Sequence, residues 1–309
     1  MAEIVTSAVE PRDHGHAAAV AAAAPWDRLA PVGRAFFAVP IVAFGAMHLL
    51  RQDFVTRMVP PPPAWVPWRS FWACLLGAVL IAIGAAILLE IRERLAAAAL
   101  GTMMLLSVVL LHGPRVAAKA GVGGAYTAPM KFVALAGCAF LIASLSSAKG
   151  GRARAPAESS GAGHARRDRT LPARLALAAF LILCGVQHFV YSDFVATLVP
   201  AWIPHHYFWT YFAGVALFAA GLGLAVEATR RWAALLSGGM IFTWFVILHI
   251  PRALAHPHDT MEWSSVWESL AFSGMAFLLA ATDPPRGAQQ AETYRIGIEP
   301  SGQDLAHPE

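Results

Sequence analysis

The chain has 309 residues, of which 57% are hydrophobic and only 14% are charged, and its mean hydropathy is +0.55. Soluble domains typically carry about 25% charged residues, so this composition excludes an ordinary soluble protein and indicates a chain that folds in a lipid bilayer. The formal net charge is +4. We attribute that charge to membrane topology and to anionic lipid headgroups, and not to nucleic acid binding.

Eight apolar runs follow one another along the chain, each close to the roughly 20 residues that cross the hydrocarbon core of a bilayer. Because backbone polar groups in hydrocarbon must bond to one another, we predict eight transmembrane helices and an all-α, polytopic membrane protein. The runs are 32–50, 71–89, 95–111, 130–147, 171–190, 208–226, 232–250 and 266–282.

Three segments outside these runs have polar or low-complexity sequences. Residues 1–31 predict a disordered lead-in, and residues 283–309 predict a disordered tail. Residues 148–170 are rich in Gly, Ala, Ser and Arg, so we predict a flexible basic linker there. The linker divides the apolar runs into two groups of four.

Residues 32–147 and 171–282 repeat each other. The AWVP tetrapeptide at 64–67 corresponds to the AWIP tetrapeptide at 201–204, and this offset of 137 holds to the end of each copy. Upstream the offset is 140, because the proline run from Pro60 is three residues longer than its counterpart. These identities predict two tandem four-helix bundles. An even number of spans per copy gives both copies one orientation, so we expect an axis along the membrane normal to relate them.

Basic residues favour one side of the membrane. The side with the two termini, the linker and the arginine turns near 93 and 230 holds 16 of the 23 Lys and Arg residues, against 7 on the other side. By the positive-inside rule we expect both termini and the linker to be cytoplasmic, in a multi-pass protein of the inner (cytoplasmic) membrane. Tryptophans such as Trp65 and Trp202 in the opposite loops are expected to form an aromatic belt at the interface.

One histidine ends the first helix of each copy and another ends the third: His48 and His112, then His188 and His249. Three interpretations remain open. The imidazoles cap helix ends, or they bond to a quinone or another small ligand, or they ligate haem or a metal. All four are therefore candidate ligand-binding residues, at the outer face.

A proline follows two residues after the histidine of each third helix, at Pro114 and Pro251. Proline removes a backbone donor and restricts the residue before it, so we predict that both helices stop here. Arg115 and Arg252 are then expected to cap the free carbonyl groups of the last turn.

Lys131 and Glu268 occupy the same position of the two copies, about one turn into the fourth and eighth helices. Ionisable groups inside a membrane are costly and tend to face a partner or a cavity. Their opposite signs permit an ion pair across the axis, and the alternative for Lys131 is snorkelling to the surface. We also expect Glu268 to approach His188 and His249, which makes the second copy the better candidate for a metal or proton site.

The second copy resembles the DoxX family of small four-helix bacterial membrane proteins over most of residues 171–282, and residues 33–147 echo it more weakly. The resemblance implies two fused four-helix units and a membrane subunit of a redox complex, linked in some relatives to quinone. Family members often carry a glutamate after the Gly-Val of the second helix, where this chain has Ala216. The motifs are Gly185-x-x-His188, Phe194-Val195, Val199-Pro200, Ile203-Pro204, Gly214-Val215, Gly221-Leu222-Gly223-Leu224 and Thr229-Arg230-Arg231-x-Ala233.

These observations predict a membrane subunit that serves a redox or quinone-linked process together with a partner redox protein. Quinone and haem are the cofactors considered, and catalysis by the chain itself is left open. Two alternatives from other classes remain: a small-molecule transporter or permease that uses the interface between the repeats, and a membrane scaffold with no ligand.

Overall fold

The computed structural model describes the backbone of residues 29–56, 65–119, 123–152 and 161–282. It describes the side chains of these residues except those within 147–168. Over these ranges the chain is helical, and eight helices are long and apolar enough to span a membrane. The prediction of an all-α membrane protein with eight spans is therefore confirmed at this level. The helices are α1 (Leu29–Arg51), α2 (Arg69–Leu88), α3 (Glu93–Ala118), α4 (Thr127–Arg152), α5 (Gly161–Val190), α6 (His206–Ala225), α7 (Arg230–Ala255) and α8 (Thr260–Ala281).

Several helix ends differ from the sequence-based bounds. Helices α4 and α5 extend into the stretch 148–170 that we expected to be irregular, because its alanines and arginines are good helix formers outside the bilayer. Residues 153–160 lie outside the described residues. Helix α1 begins at Leu29, inside the predicted lead-in, and most of that lead-in and of the predicted tail also lies outside the described residues.

The predicted stop at each proline is wrong. Helix α3 changes to a π-helix over Val108–His112 and then continues as Gly113–Ala118, and α7 does the same over Phe245–His249. The N–H of Gly113 bonds to the carbonyl of Val108, five residues back. A proline ring clashes with the carbonyl four residues back in an α-helix, and the wider turn relieves this clash without ending the helix.

Each helix packs against its neighbours in sequence, and α1 also packs along α8. Helix α8 is the most buried of the eight spans, and it also contacts α4. The α1/α8 contact is close because it is made by glycines: a Cβ on Gly274 would lie 2.6 Å from the Gly33 carbonyl oxygen. At the corresponding α4/α5 contact, a Cβ on Gly137 would lie 3.0 Å from the Ala173 Cα.

Helix ends recur at the spacing of the sequence repeat. Helix α6 begins and ends 137 residues after α2, and α7 begins and ends 137 residues after α3. The π segments recur at the same spacing. We call the end of the helix bundle that carries His48, His112, His188 and His249 the histidine end.

Candidate functional site

His48 is fully buried at the end of α1 and engages the backbone through both ring nitrogens. Its Nδ1 lies 2.7 Å from the Phe44 carbonyl oxygen, and its Nε2 accepts from the Val55 N–H at 3.3 Å. The carbonyl can only accept, so these partners assign the proton to Nδ1 and make the imidazole neutral. His48 therefore ties the helix end to the loop that follows, in the manner of a cap.

His188 makes only part of this arrangement. Its Nδ1 donates to the Cys184 carbonyl at 2.7 Å, and its ring stacks on Trp244 with centroids 6.4 Å apart. The first-copy counterpart of Trp244 is Ser107, which lines a cavity of about 50 Å³ beside His48. Phe132 also lines this cavity, at the position that Ser269 occupies in the second copy.

His112 and His249 are each the last residue of a π segment. His112 is buried, with its ring 5.1 Å from that of Phe132, while His249 is half-buried. Because a π turn inserts an extra residue, it rotates the side chains that follow relative to an uninterrupted α-helix. The sequence signal for this feature is the proline two residues after each histidine, which by the rule for α-helices predicts a stop.

Lys131 and Glu268 form an ion pair, with Nζ 2.5 Å from Oε1. Only 4% of Lys131 and 7% of Glu268 is exposed. The ion pair that the opposite signs permit is thus present, and the alternative interpretation of Lys131 as a snorkelling residue is wrong. In a low-dielectric interior the pair is strongly held, because each charge would be costly alone.

The arginines after the prolines have different roles. Arg115 donates to the Leu111 carbonyl at 2.7 Å, but the helix continues to Ala118, so this bond lies within the helix and the predicted cap of its last turn is wrong. Arg252 instead pairs with Glu262 at the start of α8, with Nε 3.1 Å from Oε2. The difference follows from the neighbouring helix, which offers a carboxylate in the second copy.

The metal interpretation of the histidines depends on how many ligands the structure brings together. In the part of the chain that the structure describes, no group of three or more His, Cys, Asp or Glu residues is placed to hold a metal ion. This includes the predicted trio of His188, His249 and Glu268. The Glu268 carboxylate is directed across the bundle to Lys131.

A groove of about 580 Å³ lies between α1 and α8 at the histidine end, and we call it the α1/α8 groove. Its α1 wall is apolar and includes Ala43, Ala46 and Met47, and its α8 wall carries Trp263 and Trp267. The volume is within the range of roughly 300–1,000 Å³ typical of small-molecule sites. The sequence did not reveal this groove, since its walls are about two hundred residues apart in the chain.

The mouth of the groove is polar. Arg51 is exposed, and its Nη2 donates to the His258 carbonyl at 2.7 Å. Trp263 stacks on Trp267 with centroids 6.3 Å apart, and its indole N–H donates to the Pro257 carbonyl at 3.0 Å. The groove therefore combines a guanidinium, aromatic faces and an apolar wall, which suits an amphiphilic aromatic molecule.

The equivalent junction between α4 and α5 is bridged by side chains. Gln187, the counterpart of Met47, donates to the Thr127 hydroxyl at 2.8 Å and to the Gly123 carbonyl at 3.3 Å. Tyr191, the counterpart of Arg51, places its hydroxyl 3.3 Å from where a Cβ on Gly123 would lie. The substitutions at these two positions are among those that distinguish the bridged junction from the open groove.

Comparison with protein families finds a match in the second copy. A family model described as a domain of unknown function (DUF8561) matches residues 177–277, which lie within the second copy. No curated protein and no solved structure matches the chain. The resemblance to the DoxX family therefore depends on the motifs quoted above.

Proposed function

We propose that this protein is a DoxX-like membrane subunit of a quinone-linked redox process, and that it holds a lipophilic quinone-type ligand in the α1/α8 groove. The observation that carries the proposal is the groove itself, with its apolar α1 wall, stacked tryptophans and a guanidinium at the mouth. A quinone has the same division into a planar ring with two carbonyl acceptors and an apolar tail.

Each part of the groove has a role in this proposal. The tail lies along Ala43 and Met47 toward the lipid, and the ring packs on the face of Trp267. Arg51 donates to a ring carbonyl, which would replace its present bond to the His258 carbonyl. Electrons would reach the quinone from a partner redox protein at the same membrane face.

The proposal includes the arrangement and orientation of the chain. Two four-helix units are related by an axis along the membrane normal, which is supported by the recurrence of helix ends and by the contact between the equivalent residues Lys131 and Glu268. Both termini face the cytoplasm of the inner membrane, which is supported by the 16-to-7 division of basic residues. Labelling of a cysteine at residue 160 from outside intact cells, after replacement of the native cysteines, would overturn this orientation.

The binding experiment uses full-length protein in mild detergent. Extraction and ultraviolet spectroscopy should recover quinone from the purified protein, and a short-chain quinone should quench tryptophan fluorescence on titration. Ala46→Phe fills the groove and Arg51→Leu removes the donor, so each should weaken binding by roughly tenfold or more. Val186→Phe and Tyr191→Leu are the matched controls at the equivalent second-copy positions, and they should leave binding unchanged.

A quinone-free preparation that also fails to bind the short-chain quinone would contradict the proposal and would favour the scaffold or permease alternatives. Equal losses in the groove variants and their second-copy controls would also contradict it, because binding would then not depend on the α1/α8 groove.

A further inference from the structure

Lys131 and Glu268 are equivalent residues that contact each other. They stand 137 residues apart, which is the offset of the repeat, and their charged groups meet at 2.5 Å. Two equivalent residues can touch across a twofold arrangement only close to its axis. The ion pair therefore marks the place where the two copies meet at α4 and α8.

In a dimer of identical units, this position would bring two identical side chains together. Two lysines or two glutamates would then be buried against each other, and like charges in a low-dielectric site repel strongly. The observed combination of one lysine and one glutamate removes that repulsion and gives each buried charge a partner.

The helix contacts on either side of this ion pair are also made by equivalent residues of the two copies. Gly33 on α1 meets Gly274 on α8, and their counterparts Ala173 and Gly137 meet at the α4/α5 junction. The two helix junctions thus use equivalent surfaces, while the axis between them carries opposite charges. Charge at the axis distinguishes the pairing of unlike copies from the pairing of identical ones.

We propose that Lys131 and Glu268 make this contact face selective for unlike units. The partner that fits the first copy is the second copy of the same chain, and two first copies or two second copies are rejected by charge. The contact face of each copy is then occupied by the other copy of the same chain, whether or not a ligand binds in the α1/α8 groove.

The first test is a charge exchange in the full-length protein. Lys131→Glu and Glu268→Lys each leave two like charges buried, so each single variant should melt roughly 10 °C below wild type in detergent. The double variant restores an opposite pair in reversed order and should melt within roughly 3 °C of wild type. Single variants that melt like wild type, or a double variant as unstable as the singles, would overturn the proposal.

The second test separates selectivity from simple stabilisation. When Lys131→Glu and Glu268→Lys chains with different tags are expressed together, the two chains carry complementary charges and should co-purify as mixed dimers. Two wild-type chains with the same tags are the control and should co-purify several-fold less. Equal recovery in both experiments would show that charge at this position does not choose the partner.

Discussion

The two copies carry a large interior side chain on different helices. In the second copy, a large Trp244 on α7 accompanies a small Ser269 on α8, and the indole stacks on His188. In the first copy, the small Ser107 on α3 accompanies the large Phe132 on α4. Phenylalanine is smaller than tryptophan, and a cavity of about 50 Å³ remains beside His48.

The helix junctions at the same end also differ. Gln187 bridges α5 to the start of α4, whereas Met47 leaves the α1/α8 groove open. Both differences concern side chains in copies whose second and third helices begin and end at a constant spacing. The two copies of the sequence repeat thus differ in the side chains at one helix junction, which is bridged in one case and forms a groove in the other.

The largest effect is expected where helix backbones are closest. A methyl group at Gly274 would meet the carbonyl of Gly33 and the N–H of Phe37, neither of which can move without shifting α1. Gly274→Ala should therefore cost roughly 3 kcal/mol of stability. At the equivalent junction, Gly137→Ala should cost less, because Ala173 is 3.0 Å from the added atom.

Thermal unfolding in detergent measures this difference between junctions. Gly239→Ala is the matched control, since an added Cβ there meets nothing within 4 Å, and in a helix it should be neutral or slightly stabilising. A Gly137 variant less stable than the Gly274 variant would reverse the ranking of the two junctions.

The next effect concerns the exchanged large and small residues. Trp244→Ser removes a half-buried indole and its stacking on His188, so we expect a loss of roughly 2 kcal/mol. Adding Ser269→Phe to this variant places a large side chain on α8, as Phe132 is on α4 in the first copy. The double variant should recover part of the lost stability. No recovery in the double variant, measured by thermal unfolding, would mean that the two positions do not share one space.

A smaller effect is expected at the first histidine. His48→Leu leaves the buried N–H of Val55 without its acceptor, and we expect a cost of about 1–2 kcal/mol. His188→Leu loses only the bond to a carbonyl of its own helix and the ring stacking, so its cost should be lower. Denaturation of both variants, with Cys74→Ala as an unrelated control, would rank them, and a larger loss at His188 would contradict this account of His48.

The smallest effect involves a loop carboxylate. Asp53 accepts from Nε of Arg69 at 2.6 Å, and this guanidinium lowers the pKa of Asp53 from its usual value. A lowered pKa in the folded state stabilises the protein at neutral pH, and that stabilisation disappears as the pH falls through the folded-state pKa. Asp53→Asn should remove under about 1 kcal/mol at pH 7, because the pair is half exposed, and less at pH 2. An equal loss of stability at both pH values would mean that the effect does not arise from the charge of Asp53.

Sequence reasoning predicted the helices well, because long apolar runs in a bilayer have few alternatives. It also left open the contact between Lys131 and Glu268, as one of two interpretations, since two opposite charges at one repeat position inside a membrane permit an ion pair. It was wrong about Pro114 and Pro251, because the rule that proline ends a helix assumes α-helical geometry on both sides.

The candidate groove could not be predicted in the same way. Met47 and Trp267 lie at opposite ends of the chain, and only the packing of α1 along α8 brings them to one groove. The sequence does contain the contrast between Met47 and Gln187, but its consequence depends on the position of Thr127 across a helix junction. The chemistry of histidine favours a ligand site, but both ring nitrogens of His48 bond to the backbone.

Photoaffinity labelling in native membranes tests the proposed function most directly. A quinone analogue that carries an azide on its ring would be activated by light, and labelled peptides would be identified by mass spectrometry. The account predicts labels at Met47 and Trp267 that an excess of unlabelled quinone removes, with none at Gln187. Labels spread equally over α1 and α5, or no label while another quinone protein in the same membranes is labelled, would contradict it.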